Sequence, residues 1–299
     1  MKRLLTLQQT LLVLGLSLAW PAYASAITFD APNEDGVTIC YKTTNAGEVS
    51  VWSGDYSGRV VIPSTVEYNG TTYAVTGINS LAFHAQAALT SVVIPASVTE
   101  IGQQAFYNCD ALKEVELHAN LSYIPSMCFG YCTALKSFSL PSSVKMIHSS
   151  AFSNCGLTEI VLPPFLESIG QRAFHGCTSL RSVTIPESVS TIGDFAFASC
   201  SNLSEVKSEI KTPFALNDVF FHISKDAILY VPGGTKAAYE STSGWSFSNI
   251  VEMKSDEIRT VNMDKAANGI YTIDGRKIAP NSNLAKGLYI INGKKVFVE

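Results

Sequence analysis

The centre of the chain repeats itself about every 23 residues, and this period constrains the fold more than any other feature. Each copy has an apolar start, a second apolar pair, a Phe and then a Cys, and Pro follows the apolar start in four of the five. The copies occupy residues 89–111, 112–134, 135–156, 157–179 and 180–202, and the third is one residue shorter. A repeat of about 20 to 50 residues is typical of solenoids, in which a unit buries its apolar side only by stacking on its neighbours.

Each copy has the pattern of one short strand followed by a brief helical turn. Leu-x-x-Val-x-Ile or Leu places apolar residues on one side of a strand, and Pro ends it. The Gly that usually follows the second apolar pair, as at Gly102, favours a turn with positive φ. Ala and Phe then fill the interior from a brief helical turn. The sequence therefore predicts a repeat solenoid with one main short strand and a brief helical turn per ~23-residue repeat, flanked by small β caps.

The copies at the two ends of the array deviate from the repeat consensus. The partial copy before residue 89 keeps several apolar positions but has Gln86 where the Cys would fall. The copy from Leu203 loses register after Val206. Terminal repeats cannot stack on both sides, so such ends are expected to act as caps. We predict an N-terminal β cap over 27–56, the repeat array over 57–227 and a closing cap over 228–253.

The consensus Leu-x-x-Val-x-Ile-Pro-x-Ser-Val-x-x-Ile-Gly-x-x-Ala-Phe-x-x-Cys resembles the BspA-type leucine-rich repeat of bacterial surface proteins, over about residues 57–207. The segment ILYVPGGTKAAYESTSGWSFSNIVEM, at 228–253, resembles the closing unit of such arrays in proteins of the Bacteroidetes. The resemblance implies a leucine-rich-repeat right-handed coil. It also implies cell-surface adhesion, through attachment to host matrix proteins, to host cells or to other bacteria.

The first 26 residues are typical of a signal peptide. Lys2 and Arg3 precede an apolar run that is too short to span a bilayer, and small residues follow it. We therefore predict an exported protein that is located at the cell surface, secreted or in the periplasm. Removal of the peptide takes away Lys2 and Arg3 and no acid, which changes the formal net charge from −4 to −6. A mildly acidic chain without basic clusters argues against nucleic acid and anionic lipid as partners, and we predict no transmembrane segment.

After Met253 the sequence predicts a polar linker over 254–268 and a β-hairpin tail over 269–299. Asp274-Gly275 and Asn292-Gly293 are strong hairpin-turn signals between alternating apolar residues. The tail resembles the C-terminal sorting domain of type IX secretion, although its roughly 30 residues are fewer than such a domain usually has. The alternative is a small β module that caps or adorns the solenoid.

Five of the seven cysteines share one repeat position, three residues after the Phe. They are Cys109, Cys132, Cys155, Cys177 and Cys200. Stacked coils would place them in one row, about 5 Å apart. Parallel side chains cannot converge on one zinc ion at about 2.3 Å, and a disulfide needs Cβ atoms about 3.5–4.5 Å apart in a twisted geometry. We predict a structural row of buried free thiols, with some disulfide pairing as the alternative.

The sequence predicts no catalytic, cofactor or metal site. The five histidines take scattered repeat positions, and the two that share one, His84 and His175, lie four coils apart. Carboxylates such as Glu114 and Glu116 would face outward from one strand, without the desolvating cleft that paired acid/base catalysis needs. The sequence contains no Gly-x-Ser-x-Gly, no phosphate-binding Gly loop and no His-Glu-x-x-His. We therefore predict that the protein is not an enzyme.

The outward side of the main strands is the predicted binding face, because repeat solenoids use such extended faces for protein partners. Its residues are Thr90, Ser91, Val93, Lys113, Glu114, Glu116, Lys136, Ser137, Ser139, Thr158, Glu159, Val161, Arg181, Ser182, Thr184, Ser204, Glu205 and Lys207. This ladder contains no Trp, Tyr or Phe, so a plain solvated sheet face is the alternative.

Two functions remain open. The favoured one is an exported bacterial leucine-rich-repeat protein that acts by binding, through cell-surface adhesion or interaction with a host or matrix protein. The alternative is a glycan-binding surface or periplasmic accessory protein, which would require an aromatic platform. The aromatic residues predicted to lie outside the core are Trp52, Tyr56, Tyr68 and Trp245, all near the ends of the array.

Overall fold

The computed structural model describes residues 26–253 and, in the C-terminal tail, the strand residues 270–272, 277–278, 287–291 and 294–298. The predicted signal peptide, apart from Ala26, and the predicted linker lie outside the described residues. The chain forms a β-solenoid of about nine coils with little helix, which confirms the predicted fold class. No helix of the described part is long and apolar enough to cross a membrane.

The elements follow one another in a regular order. They are β1 (Thr28–Pro32), β2 (Thr38–Thr43), β3 (Glu48–Val51), β4 (Gly58–Val61), β5 (Thr65–Tyr68), β6 (Thr71–Ile78), β7 (Leu89–Ile94), β8 (Glu100–Ile101), β9 (Glu114–Leu117), β10 (Tyr123–Ile124), β11 (Met146–Ile147), β12 (Ser168–Ile169), β13 (Ser182–Ile185), β14 (Thr191–Ile192), β15 (Glu205–Ser208), β16 (Ile228–Pro232), α1 (Lys236–Ser241), β17 (Asn249–Met253), β18 (Ile270–Thr272), β19 (Lys277–Ile278), β20 (Gly287–Ile291) and β21 (Lys294–Val298).

The main strands of successive coils pair in parallel. One sheet has the order β4-β7-β9 and another the order β13-β15-β16-β17. The register places equal repeat positions side by side, as in Val92 opposite Val115 and Val183 opposite Val206. Each coil therefore contains one repeat, and the apolar positions of the strands face one continuous core.

A second set of very short strands runs along another side of the coils. β6 pairs with β8, and β10, β11, β12 and β14 form a parallel sheet. The residue after each of these strands donates its N–H to the preceding coil, as Gly102 does to the Ile78 carbonyl at 2.7 Å and His148 to that of Ile124 at 2.9 Å. Pro125 occupies this position after β10 and has no N–H to donate. The interruption between β8 and β10 follows from this missing donor.

The turn after each second strand contains no α-helix, so the helical component of the repeat is minor. Two residues of each turn have positive φ, for example Gln104 at 56° and Asn108 at 60°. Together with Phe106, which lies between them, these residues donate their N–H groups to carbonyls of the next coil. The backbone donors that a helix would use within the segment thus join neighbouring coils instead.

The glycine after the second strand has a role other than the predicted one. Gly102, Gly170 and Gly193 do not have positive φ, so that prediction is wrong. A Cβ at Gly102 would overlap the backbone of Ser80, and one at Gly193 would overlap the backbone of Gln171. Glycine is favoured here because the backbones of adjacent coils touch.

A spine of aromatic rings runs through the core. It consists of Tyr56, Phe83, Phe106, Phe129, Phe152, Phe174, Phe197, Phe220 and Trp245. Adjacent ring centroids lie 4.4–5.8 Å apart, and the phenylalanine rings are nearly parallel. Such contacts add about 0.5–1.5 kcal/mol per pair to the free energy gained by burial.

The two ends of the spine are covered by side chains that replace a missing coil. β1, β2 and β3 form an antiparallel meander that joins β6, so the N-terminal segment extends the second-strand side. Gln86, at the position of the cysteines, accepts from the Tyr56 N–H at 3.0 Å and donates to the Gly54 carbonyl at 2.8 Å. At the other end the Trp245 indole donates to the Phe214 carbonyl at 2.9 Å. Side chains that differ from the repeat consensus, such as Gln86, thus form hydrogen bonds with backbone groups that have no neighbouring coil.

The strands of the C-terminal tail form a four-stranded antiparallel sheet with the order β19-β18-β20-β21. The proposed turn residues Asp274-Gly275 and Asn292-Gly293 lie outside the described residues.

Candidate functional site

The outward side of the main strands, called the strand face below, consists of positions 2, 3 and 5 of each repeat. It carries all eighteen side chains of the predicted binding ladder. Fourteen are exposed and four are half-buried: Thr90, Ser91, Val93 and Lys207. Pairing brings equal positions together, as in Val93 opposite Glu116 and Thr184 opposite Lys207. The structure therefore gathers these side chains on one surface, and their role in binding stays a prediction.

The charges of the strand face are separated into rows. Position 2 carries Lys113, Lys136 and Arg181, whereas position 3 carries Glu114, Glu159 and Glu205. With Glu116 and Lys207 at position 5, the face has four basic and four acidic residues. Because its positive and negative charges are equal in number, the strand face does not favour a strongly charged partner. The affinity for a partner therefore has to come mainly from the apolar part of the surface.

The strand face is interrupted between β9 and β13. Segments 137–140 and 159–162 form no strand and contribute only isolated bridges. The third copy is one residue shorter here, and Phe138 stands where the other copies have Val or Ile. The Phe138 ring lies 4.8 Å from the Phe129 ring, so an inward side chain of the main-strand segment contacts the aromatic spine. The remaining bridges, Ser139 with Val161 and Ile160 with Val183, join equal repeat positions, so these coils lose regular strand pairing without a shift of register.

A groove of about 360 Å³ opens at this interruption. It is called the sheet-break groove below, and its apolar lining includes Phe138, Val161, Leu162, Pro163 and Pro164. Val161 is 78% exposed and the adjoining Phe165 is 66% exposed. Grouped exposed apolar side chains mark protein interaction sites, which single ones do not. The groove is therefore the most distinctive feature of the strand face.

Sequence reasoning missed the sheet-break groove and the continuation of the face into the closing cap. Tyr230 lies opposite Lys207 in the sheet, and Val251 lies opposite Tyr230, so position 5 continues over two further strands. The strand face therefore does contain an aromatic residue at its end. The alternation of Ile-Leu-Tyr-Val-Pro could have revealed this extension, and the signals for the groove were the missing residue of the third copy and its Phe138.

Two of the four aromatic residues that were candidates for a glycan-binding platform do not lie on the surface. Tyr56 and Trp245 were placed outside the core, but they are only 3% and 2% exposed, so that prediction is wrong. They end the aromatic spine, because the terminal coils need large apolar side chains to cover them. Trp52 is half-buried in the N-terminal cap, and Tyr68 is half-buried at the end of β5.

The cysteine row is buried, and none of the seven cysteines forms a disulfide. Each of the five thiols donates to the carbonyl of the Phe in the preceding coil, at 2.8–3.2 Å. The Phe129 carbonyl, for example, accepts from the Cys155 Sγ at 2.9 Å and from the Cys132 N–H at 3.2 Å. Burial raises the pKa of Cys109 to about 11 and that of Cys200 to about 12. The thiols therefore keep their protons at neutral pH and serve as donors, not as nucleophiles.

Among the residues that the structure describes, no group of three or more His, Cys, Asp or Glu could hold a metal ion. His84 and His175 lie on the turn side of the coils, four coils apart, and His175 is half-buried. The pKa of His175 is lowered by burial and, to a smaller extent, by the Arg172 charge.

Comparison with protein families identifies one match. The family described as BspA type leucine-rich repeat region matches residues 64–178 and 145–263, with six copies of the repeat. The chain is similar to a leucine-rich repeat protein from Bacteroides ovatus, with 21% identity, 72% of this chain and 75% of that chain covered, and a TM-score of 0.45. It is similar to the T. pallidum leucine-rich repeat protein with 25% identity, coverage of 68% and 78%, and a TM-score of 0.41. A leucine-rich cell surface protein from Faecalibacterium prausnitzii has 19% identity, coverage of 78% and 97%, and a TM-score of 0.31. No curated protein matches the chain.

Proposed function

We propose that this chain, which belongs to the BspA type leucine-rich repeat family, is an exported bacterial protein that acts by binding another protein through its strand face. Leucine-rich repeat proteins generally mediate protein interaction, and this family is surface-associated in bacteria. The partner is a protein of the host matrix, of the host cell surface or of another bacterium. The protein works as a rigid scaffold that presents side chains, without a catalytic step.

The sheet-break groove is the observation that carries this proposal. The charged rows on both sides of it are balanced, and exposed ion pairs contribute little affinity. Val161 and Phe165 are the large apolar side chains that a partner can bury there. Full burial of a Val or Phe side chain contributes about 1.5–3 kcal/mol, and interface energy usually concentrates in a few such residues.

Binding of the purified chain to immobilised fibronectin, laminin and collagen tests the proposal. We expect Val161→Glu to weaken binding about tenfold or more, since 1.4 kcal/mol corresponds to a factor of ten. Val251→Glu is the matched control, because Val251 occupies the same position 5 and is exposed at the far end of the face. Failure to bind any of the three proteins would contradict a matrix partner, and equal effects of the two substitutions would contradict the strand face as the binding surface.

Export and sorting form the second part of the proposal. Residues 1–26 direct the chain out of the cytoplasm, and residues 269–299 direct it to the surface by type IX secretion. Deletion of 269–299 in a Bacteroidetes host with that pathway should leave the protein in the periplasm, as cell fractionation would show. Unchanged surface localisation would make the tail a small β module without a sorting role.

A further inference from the structure

The turns that follow the second strands form a separate outer side of the coils, called the turn edge below. Its middle row consists of His84, Tyr107, Gly130, Ser153, His175, Ala198 and Phe221. Two consecutive members, Gly130 and Ser153, are small, so the row has a gap between Tyr107 and His175. Three coil spacings of about 4.8 Å place the two flanking backbones about 14 Å apart.

The gap is a built depression with side walls. Its volume is about 390 Å³, and we call it the turn-edge slot. Its principal lining residues are Tyr107, Met127, Tyr131, Asn154, Arg172 and His175, with Ser150 and Ser153 between them. A Cβ on Gly130 would lie 3.0 Å from the Tyr107 ring, which shows that the ring leans over the glycine. The small residues of two coils thus form the floor, and longer side chains form the rim.

Two aromatic rings stand at one end of the slot. The ring centroids of Tyr107 and Tyr131 are 5.4 Å apart, and their planes make an angle of 60°. The His84 ring stacks on Tyr107 at 5.6 Å, and its coil precedes that of Tyr107, away from the slot. Tyr131 is 42% exposed, so its ring is available to a ligand.

The other end of the slot is polar and carries little charge. Arg172 is the one permanently charged side chain of its lining, and its guanidinium lies 5.5 Å from the Phe195 ring. Burial and, to a smaller extent, the Arg172 charge lower the pKa of His175, which favours the neutral imidazole with one donor and one acceptor. Asn154 and the two serines add groups that both donate and accept.

We propose that the turn-edge slot binds a hexopyranose unit of an oligosaccharide. A pyranose has an apolar C–H face, which stacks on aromatic rings, and hydroxyl groups that need both donors and acceptors. The slot supplies both, with Tyr107 and Tyr131 at one end and Asn154, Arg172 and His175 around the other. A phosphate group would meet a single fixed positive charge, and an apolar peptide anchor would leave these polar groups without partners. This site is distinct from the strand face and does not depend on its protein partner.

The test uses the purified chain and immobilised oligosaccharides that end in glucose, galactose, mannose, N-acetylglucosamine, glucuronic acid or galacturonic acid. We expect binding to at least one of these probes, and comparison of the acidic with the neutral sugars reports the contribution of Arg172. Ser153→Tyr should reduce binding at least tenfold, because it fills the slot with a side chain that the same row carries at Tyr107. His175→Ala should reduce it several-fold, whereas His84→Ala, the same substitution at the same repeat position outside the slot, should have little effect.

Two further measurements control for misfolding and for binding at the strand face. Thermal unfolding identifies a variant that fails to fold, and Tyr107→Ala and His175→Ala replace Ser153→Tyr if that substitution unfolds the chain. Val161→Glu should leave sugar binding unchanged, which separates this site from the strand face. Absence of binding to all six probes overturns the proposal. Binding that Ser153→Tyr, Tyr107→Ala and His175→Ala leave unchanged also overturns it.

Discussion

The inner and the outer side of the same coils differ in how strictly they follow the repeat. Phe and Cys recur on the inner side from coil to coil, whereas positions 2, 3 and 5 of the strand face change between Thr, Ser, Lys, Arg, Glu and Val. An inner side chain touches its own equivalents in the two adjacent coils, so a change has to suit both neighbours. An outer side chain is in contact with water and is free to vary. The residues that recur in every copy therefore stabilise the fold. Specific binding has to come from places where the outer side chains differ from the repeat pattern.

The two departures on the outer side have different origins. The sheet-break groove has an inner cause, because Phe138 contacts the aromatic spine and the third copy is one residue short. The turn-edge slot has an outer cause, since Gly130 and Ser153 only omit side chains from a row that is otherwise intact. Filling the slot should therefore affect binding more than the core, and thermal unfolding checks this because Ser153 is only 6% exposed. Restoring the regular strand at Phe138 would alter the core as well.

Among the stability predictions for the inner and outer side chains, we expect a large decrease in the free energy of unfolding from Phe152→Ala. Phe152 is fully buried, and its ring lies 5.5 Å from the rings of both Phe129 and Phe174. The loss of packing and the resulting cavity should lower the free energy of unfolding by about 3–5 kcal/mol. Phe165→Ala is the matched control, since Phe165 is 66% exposed and should change stability by less than about 1 kcal/mol. Urea unfolding of both variants checks this, and similar losses would remove the distinction between inner and outer side chains.

The regular inner side was predictable from the sequence, because a period forces equal residues into equal environments. The solenoid, the main strands and the burial of Phe152 follow from the repeat alone. The contacts between coils did not follow, since a single repeat does not show which backbone group meets its neighbour. For that reason the role of Gly102 was assigned to positive φ instead of to close contact of backbones.

The candidate sites were less predictable for the same reason. The strand face could be derived by choosing the outward positions between the apolar ones. The sheet-break groove depends on how one shorter coil, with Phe138 in its core, packs against its neighbours, which cannot be deduced from residue type. The errors at Tyr56 and Trp245 arose because aromatic residues outside the repeat were taken to be exposed. At an end of a solenoid they cover the last coil instead.

A smaller effect is expected at the cysteine row, where inner side chains carry a titratable group. Cys200 has a pKa of about 12, raised from 9.0 by burial, and its thiol donates to the Phe174 carbonyl at 3.2 Å. The folded state therefore holds this proton while the unfolded state loses it, so stability falls as the pH rises from about 9 towards 12. We expect Cys200→Ala to lower the free energy of unfolding by about 1 kcal/mol at pH 7. Its stability should also decline less steeply above pH 9 than that of the wild type, as urea unfolding at several pH values would show.

Thiol counting is the control for this interpretation. All seven cysteines should react under denaturing conditions, with or without reductant, and in the native protein Cys40 should react first, because the other six are buried. Two or more disulfides within the row would show that the thiols do not act as hydrogen-bond donors to the preceding coil.

The smallest effect on stability is expected on the outer side, at Val161→Glu. Val161 is 78% exposed, so the substitution removes little buried surface and should change the free energy of unfolding by no more than about 0.5 kcal/mol. Val183→Glu is the paired inner variant, because Val183 is a strand residue of the next coil that is only 3% exposed. It should destabilise the chain severely, since it buries an unpaired charge. A loss above about 1 kcal/mol for Val161→Glu would show that the groove belongs to the core, and weaker partner binding by that variant would then reflect stability, not recognition.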